Sequence, residues 1–161
     1  MQLTIEQIAT VVGGHEKVAD DYQGGTTAII RLDARFPESM TVGLEEFSHL
    51  TVLWHFDQAS PEDVHLKGLR HPRGDTRWPA TGTLAHRNHR RPNQLAVSYP
   101  RLIGVDGRDL HVTDLDAVDG TPVLDIGPWF KEMGPRGPVH QPAWPSEMLG
   151  SAYWEGADKR P

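Results

Sequence analysis

The chain has 161 residues, with 16 Lys and Arg against 22 Asp and Glu, for a formal net charge of −6 with histidine neutral. Cysteine is absent, which excludes disulfides, thiolate metal sites and cysteine nucleophiles, and no apolar run approaches the ~18 residues that a membrane-spanning helix needs. The acidic balance weighs against a nucleic-acid partner, whose binding draws on phosphate neutralisation, although a local basic patch would serve.

This length suits one domain over residues 1–161, with 127–161 as a C-terminal arm. Sixteen glycines and thirteen prolines imply many turns and short elements. Residues 1–7 lack the basic-then-apolar layout of a signal peptide, so a cytoplasmic location is expected.

In chain order, Thr4 to Val11 reads as a helix capped by Thr4. Thr26 to Leu32 is β-branched and reads as a strand. Phe47 to Phe56 is the clearest strand: at period two, Leu50, Val52, Trp54 and Phe56 share a core face, and His49, Thr51, Leu53 and His55 share the other. Residues 59–79 read as a loop. Ala96 to Arg101 continues into a hairpin over Arg101 to Val112, with Pro100 marking an edge or bulge and Asp106-Gly107 the tight turn. Asp119-Gly120 leads into a strand over Thr121 to Ile126, residues 127–145 form an extended arm, and Ser146 to Tyr153 is a second short helix. Short strands with regular turn signals favour an antiparallel β-barrel with few short helices over a βαβ layout.

No Gly-rich dinucleotide turn, phosphate loop, H-E-x-x-H or nucleophile elbow is present. Polar residues concentrate instead in His71-Pro72-Arg73-Gly74 and in Ala85 to Asn93. Such a run reads as a solvated loop or, because Pro92 stiffens it and an apolar strand follows, as a rigid anion or carboxylate receptor. Leu115 to Pro122 reads either as a turn whose aspartates bond backbone N–H groups, or as a ligand loop with backbone for an adenine edge and a carboxylate near a cation. His49, His55, Asp57, His86 and His89 are a pool of groups for proton chemistry. His86 and His89 stand three apart, but no third ligand is evident by spacing and no metal is expected.

These segments resemble the TsaA-like (TrmO) family. The resemblance rests on Glu46-Phe47-Ser48-His49-Leu50, His71-Pro72-Arg73-Gly74, Arg91-Pro92-Asn93 and Leu115 to Ile126 (LDAVDGTPVLDI), followed by Gly134-Pro135-Arg136-Gly137, Gln141-Pro142-Ala143-Trp144 and Tyr153-Trp154. It implies a barrel, a homodimer and bound S-adenosylmethionine. Carried over residue by residue, it implies cofactor contacts from Gln23, Asp57, Gln58, Arg87, Arg91 and Asn93, and from Leu115, Asp116, Ala117 and Val118. Tyr22, His55 and Asp57 are the candidate bases.

The family's tRNA-acting members show P-R-Q in the first loop, where this chain has Asp21-Tyr22-Gln23-Gly24, and R-P-N-P-I-G, where it has Arg91-Pro92-Asn93-Gln94-Leu95-Ala96. With the net charge, these departures lead to an expected methyltransferase acting on a small molecule rather than tRNA. Three alternatives stand beside it. In one, S-adenosylmethionine is itself the substrate and is cleaved or cyclised at its aminocarboxypropyl arm. The others are methylation of tRNA threonylcarbamoyl-adenosine and non-catalytic sensing of the cofactor.

Overall fold

The structure is a computed structural model that describes residues 1–150 and 152–160. The chain divides into two compact units, one of Met1–Trp54 with Val97–Pro161 and one of His55–Ala96. Among the described residues no helix is long and apolar enough to cross a membrane.

The strands are β1 (Ala9–Val12), β2 (Thr27–Leu32), β3 (Leu50–His55), β4 (Leu95–Ser98), β5 (Arg101–Asp106), β6 (Asp109–Thr113) and β7 (Pro122–Pro128). They form a seven-stranded sheet in the order β4-β3-β7-β1-β2-β6-β5, and the described strand pairs are antiparallel. Along β3, Leu50, Val52 and Trp54 are buried and alternate with half-buried Thr51, Leu53 and His55, the two-residue period read from the sequence. Phe56 lies just past the strand. Leu50 and Val52 share the buried set with Ile30, Leu110, Val112 and Val123, and the β-branched members suit the pleated surface.

The sheet curls without closing. β4 and β5 stand at opposite ends of the strand order, yet only Tyr99 and Pro100 separate them in the chain. Leu50 N–H donates to the Pro100 carbonyl at 3.0 Å and Leu102 N–H to that of Ser48 at 2.9 Å, around a single bridge between His49 and Arg101. No ladder among the described strands completes the ring, so the expected barrel is a strongly curled open sheet.

The expected helix over Thr4 to Val11 is corrected. Residues 1–8 are not helical, and Ala9–Val12 is a strand between β2 and β7 with Ala9 and Val11 buried. The β-branched Thr10, Val11 and Val12 lose side-chain freedom in a helix and pair well on both edges. The second helix is α1 (Ala143–Leu149), three residues earlier than expected. Pro145 falls in its first turn, where a missing N–H costs no bond. Ser146 accepts from the Gln141 side chain at 2.7 Å rather than capping the helix, and Ser151 of the expected span lies outside the described residues. Between His55 and Ala96 the second unit holds short 3-10 turns and an antiparallel bridge between Arg70 and Thr81, whose N–H and carbonyl groups exchange bonds of 3.0 Å each.

Candidate functional site

In the first unit, the Leu115–Val118 turn follows β6 after Asp114, which adopts a left-handed φ of 62°. Leu115, Ala117 and Val118 bury their side chains. What this turn offers a ligand is therefore its backbone and Asp116. The flanking aspartates hold other loops: Asp114 accepts from Gly25 N–H and Asp119 from Gly13 N–H, each at 2.7 Å. Asp119 thus bonds backbone as the turn reading expects, which leaves Asp116 as the carboxylate for the other reading.

Asp116 has the richest surroundings. One carboxylate oxygen accepts from the Ser98 hydroxyl, and the other from the Tyr153 hydroxyl at 2.8 Å. Ser98 in turn accepts from the buried Trp54 indole N–H at 2.9 Å. This chain of bonds fixes the turn to β4, to β3 and to the C-terminal segment.

That segment also fixes the loop with the expected Tyr22 and Gln23. Tyr22 N–H donates to Ala152 at 2.9 Å, Gln23 N–H to Tyr153 at 2.7 Å and Gly24 N–H to Glu155 at 3.1 Å, all to carbonyls. Tyr22 takes a left-handed φ of 64°, held by these bonds. Gln23 is buried, and its amide donates to the Ala19 carbonyl at 2.7 Å, so its side chain shapes the loop from within. The structure brings together Tyr22, Gln23, Asp116 and the two residues Ser98 and Tyr153, whose parts the sequence did not reveal. Tyr153 lies 37 positions from Asp116, and no local pattern links them.

In the second unit, His55 is half-buried, while Asp57, Gln58, Arg87 and Asn93 are exposed. Arg91 is half-buried and donates to the His86 carbonyl at 2.9 Å. Gln94, next to the expected Asn93, has a left-handed φ of 49°, is buried, and donates to the Ser60 carbonyl at 2.8 Å. This bond clamps the Arg91-Pro92-Asn93 segment to the loop after β3. His89 meets Phe56 edge to face at 6.1 Å. Among the described residues no three metal-ligating side chains converge.

His86 is buried and bonded to the Thr81 hydroxyl at 2.9 Å. Burial first, then the positive charge of Arg70, holds its pKa below the ordinary histidine value. The unfolded chain takes up this proton at about pH 6.5, while the folded chain resists until lower pH. Stability therefore falls as pH drops from about 6.5 through that window, and the contribution is flat above it. His86→Gln is expected to flatten this fall, measured as melting temperature from pH 7.5 to 5 in both proteins.

A surface cleft of about 600 Å³ lies elsewhere on the first unit, lined by residues that include Arg31, Glu38, Arg108 and Asp109. Its two arginines are paired, Arg31 with Asp109 at 2.7 Å and Arg108 with Glu38 at 3.8 Å, and Asp33 and Asp106 line it as well. None of the expected site residues lines it.

The chain matches the family model of the tRNA-methyltransferase O N-terminal domain over residues 19–134. It is 34% identical over 93 residues to a probable S-adenosyl-L-methionine-binding protein of Pyrococcus abyssi, covering 58% of this chain and 47% of that one. It is 33% identical over 96 residues to the human tRNA (adenine(37)-N6)-methyltransferase, covering 60% of this chain and 21% of that one. The chain thus spans less than half the length of these relatives. The crystal structure of TrmO from Pseudomonas aeruginosa superposes with a TM-score of 0.67 at 26% identity, covering 87% of this chain and 62% of that one. With a family model over most of its length and this curled sheet beneath it, the chain belongs to the TrmO family.

Proposed function

We propose that the chain transfers a methyl group from S-adenosylmethionine to an adenine amino group of an RNA. The observation that carries the acceptor is the partition of charge. The second unit holds seven Lys and Arg against four Asp and Glu, a net of +3, while the first holds nine against eighteen, a net of −9. The expectation of a small-molecule acceptor rested on the departures at Asp21-Tyr22-Gln23-Gly24 and Gln94-Leu95-Ala96 together with the whole-chain value of −6. An average over two oppositely charged units is a poor guide to either surface, so the charge no longer argues against RNA. The human relative's name, a tRNA adenine methyltransferase, agrees with the revised acceptor.

Each unit by itself offers groups of a kind that such a cofactor takes. In the second unit, Arg87 and Arg91 are side chains of the type that holds an α-carboxylate. In the first, the Leu115–Val118 turn presents backbone of the type that reads an adenine edge, beside a carboxylate suited to a neighbouring cation. When bound, S-adenosylmethionine supplies an electrophilic methyl on a sulfonium, and catalysis by in-line displacement is mainly positioning. The acceptor amine sheds one proton. Of Tyr22, His55 and Asp57, His55 is the one we assign to take it, since histidine accepts protons most readily near neutral pH.

Titration calorimetry with S-adenosylmethionine and its demethylated product tests the cofactor. Saturable binding of both is expected, and Arg87→Ala or Arg91→Ala should each weaken it about tenfold or more, the loss of one charge-assisted pair. Absence of binding to either compound would reject the reading.

A further inference from the structure

The second unit contains a cationic cluster to which the methyl-transfer reading assigns no role beyond its charge. The Arg70 backbone is pinned by its bridge to Thr81. Its guanidinium donates to the Asn88 side-chain oxygen at 3.0 Å, and the same oxygen accepts from Arg90 N–H at 3.2 Å. The carbonyl of Arg90 accepts from His65 N–H at 3.1 Å, and that of His65 from the Thr83 hydroxyl at 2.6 Å. Arg70, His65 and Arg90 are thus drawn together by a frame of main-chain and amide bonds.

The frame leaves buried polar nitrogens without partners. Arg70 Nε and His65 Nε2 are both buried and have no hydrogen-bond partner. Among the described residues no carboxylate pairs with Arg70 or Arg90. Burial, then the nearby charge of Arg90, pushes the Arg70 pKa down from its usual value, the signature of a desolvated cation facing another cation. Burying such groups unpaired is unfavourable, and an anion reverses that. Two guanidiniums and an imidazole offer more donors and charge than one carboxylate can satisfy, whereas a phosphate has the oxygens to meet them.

We propose that Arg70, Arg90 and His65 form an oxyanion site that takes a phosphate group. The phosphate belongs either to an RNA backbone or to free phosphate, and the site's existence does not depend on the methyl donor. These residues lie outside the family motifs quoted above, apart from adjoining two of them.

The test is a titration with inorganic phosphate against chloride at constant ionic strength, followed by melting temperature and by the histidine ring resonances in NMR. Wild type is expected to show a saturable rise in melting temperature and a shift of the His65 ring signal. Arg90→Gln, at a half-buried residue with no described side-chain partner, should keep the fold and lower phosphate affinity about tenfold. Arg70→Gln is the second variant. Arg77→Gln, at an exposed arginine paired with Asp75, is the control and should leave affinity unchanged. A single-stranded RNA oligonucleotide that displaces phosphate identifies the backbone as the source, and saturable phosphate binding without displacement identifies free phosphate. Equal responses to phosphate and chloride, equal loss in Arg77→Gln, or displacement of phosphate by S-adenosylmethionine would overturn the proposal. The last outcome would leave the cofactor reading intact, and the first two do not touch it.

Discussion

Asp116→Ala is expected to destabilise the protein by about 3 kcal/mol, as two charge-assisted hydrogen bonds of roughly 1.5–3 kcal/mol each are lost, partly offset by water reaching a half-buried site. The loss does not stop at the carboxylate. The buried Ser98 hydroxyl, which accepts from the Trp54 indole N–H, loses its carboxylate acceptor, and the Tyr153 hydroxyl loses this bond as well. Asp116→Asn keeps the shape but presents a single acceptor oxygen, so about half the loss is expected. Tyr153→Phe removes one arm alone. A double-mutant cycle between Asp116→Ala and Tyr153→Phe in urea denaturation measures the coupling, expected at about 1–2 kcal/mol. Additive effects would show that the Tyr153 contact contributes nothing. Because Asp116 sits in the turn proposed to read an adenine, the same variant should weaken S-adenosylmethionine binding, and Tyr153→Phe should do so in proportion to the displaced turn.

Gly24→Ala should be at least as damaging, for a steric reason. A Cβ on Gly24 would stand 2.0 Å from the Trp154 carbonyl oxygen and 2.7 Å from its carbon. Both are backbone atoms, so relief requires the 152–156 segment to move rather than a side chain to rotate. That movement breaks the three N–H bonds from Tyr22, Gln23 and Gly24, and a destabilisation of about 3 kcal/mol or more is expected. Gly25→Ala is the matched control. Its φ of 71° strains an alanine, but its Cβ would meet open space, so the cost should be about 1–2 kcal/mol. Urea denaturation gives the stabilities, and limited proteolysis should cut the C-terminal segment of Gly24→Ala well before that of Gly25→Ala. Similar behaviour of the two variants would contradict the close approach.

These two sites show what the sequence disclosed and what it did not. The alternation of Leu50, Val52 and Trp54 and the turn at Asp106-Gly107 are local signals, and both appear as read. β1 was misread because Thr4 and the polar residues after it imitate a capped helix, while the pairing of Ala9–Val12 with β2 and β7 is a tertiary effect. Asp116 was nominated from its motif, but its partners Ser98 and Tyr153 lie 18 and 37 positions away, beyond any spacing rule. Gln23 was nominated as a ligand contact, and that its buried amide also holds the loop's own carbonyl is something composition does not reveal. The acceptor was hard to read for a simpler reason, because a net charge is a sum and the two units have opposite signs.

The Arg70 cluster belongs to the same class of hidden feature. Arg70 and Arg90 are far apart in sequence and share the Asn88 side-chain oxygen. Read in sequence, Arg90 is one of several arginines beside the Arg91-Pro92-Asn93 motif, with nothing to set it apart.

The most direct test of the central claim uses S-adenosylmethionine labelled on its methyl group, incubated with the purified protein and with tRNA that lacks the adenine methyl mark. Label in an adenine of the RNA, with one demethylated cofactor formed per methyl transferred and a rate that falls in His55→Gln, is the predicted result. Methylthioadenosine formed without RNA, or no label in RNA from a protein that binds the cofactor, would contradict it.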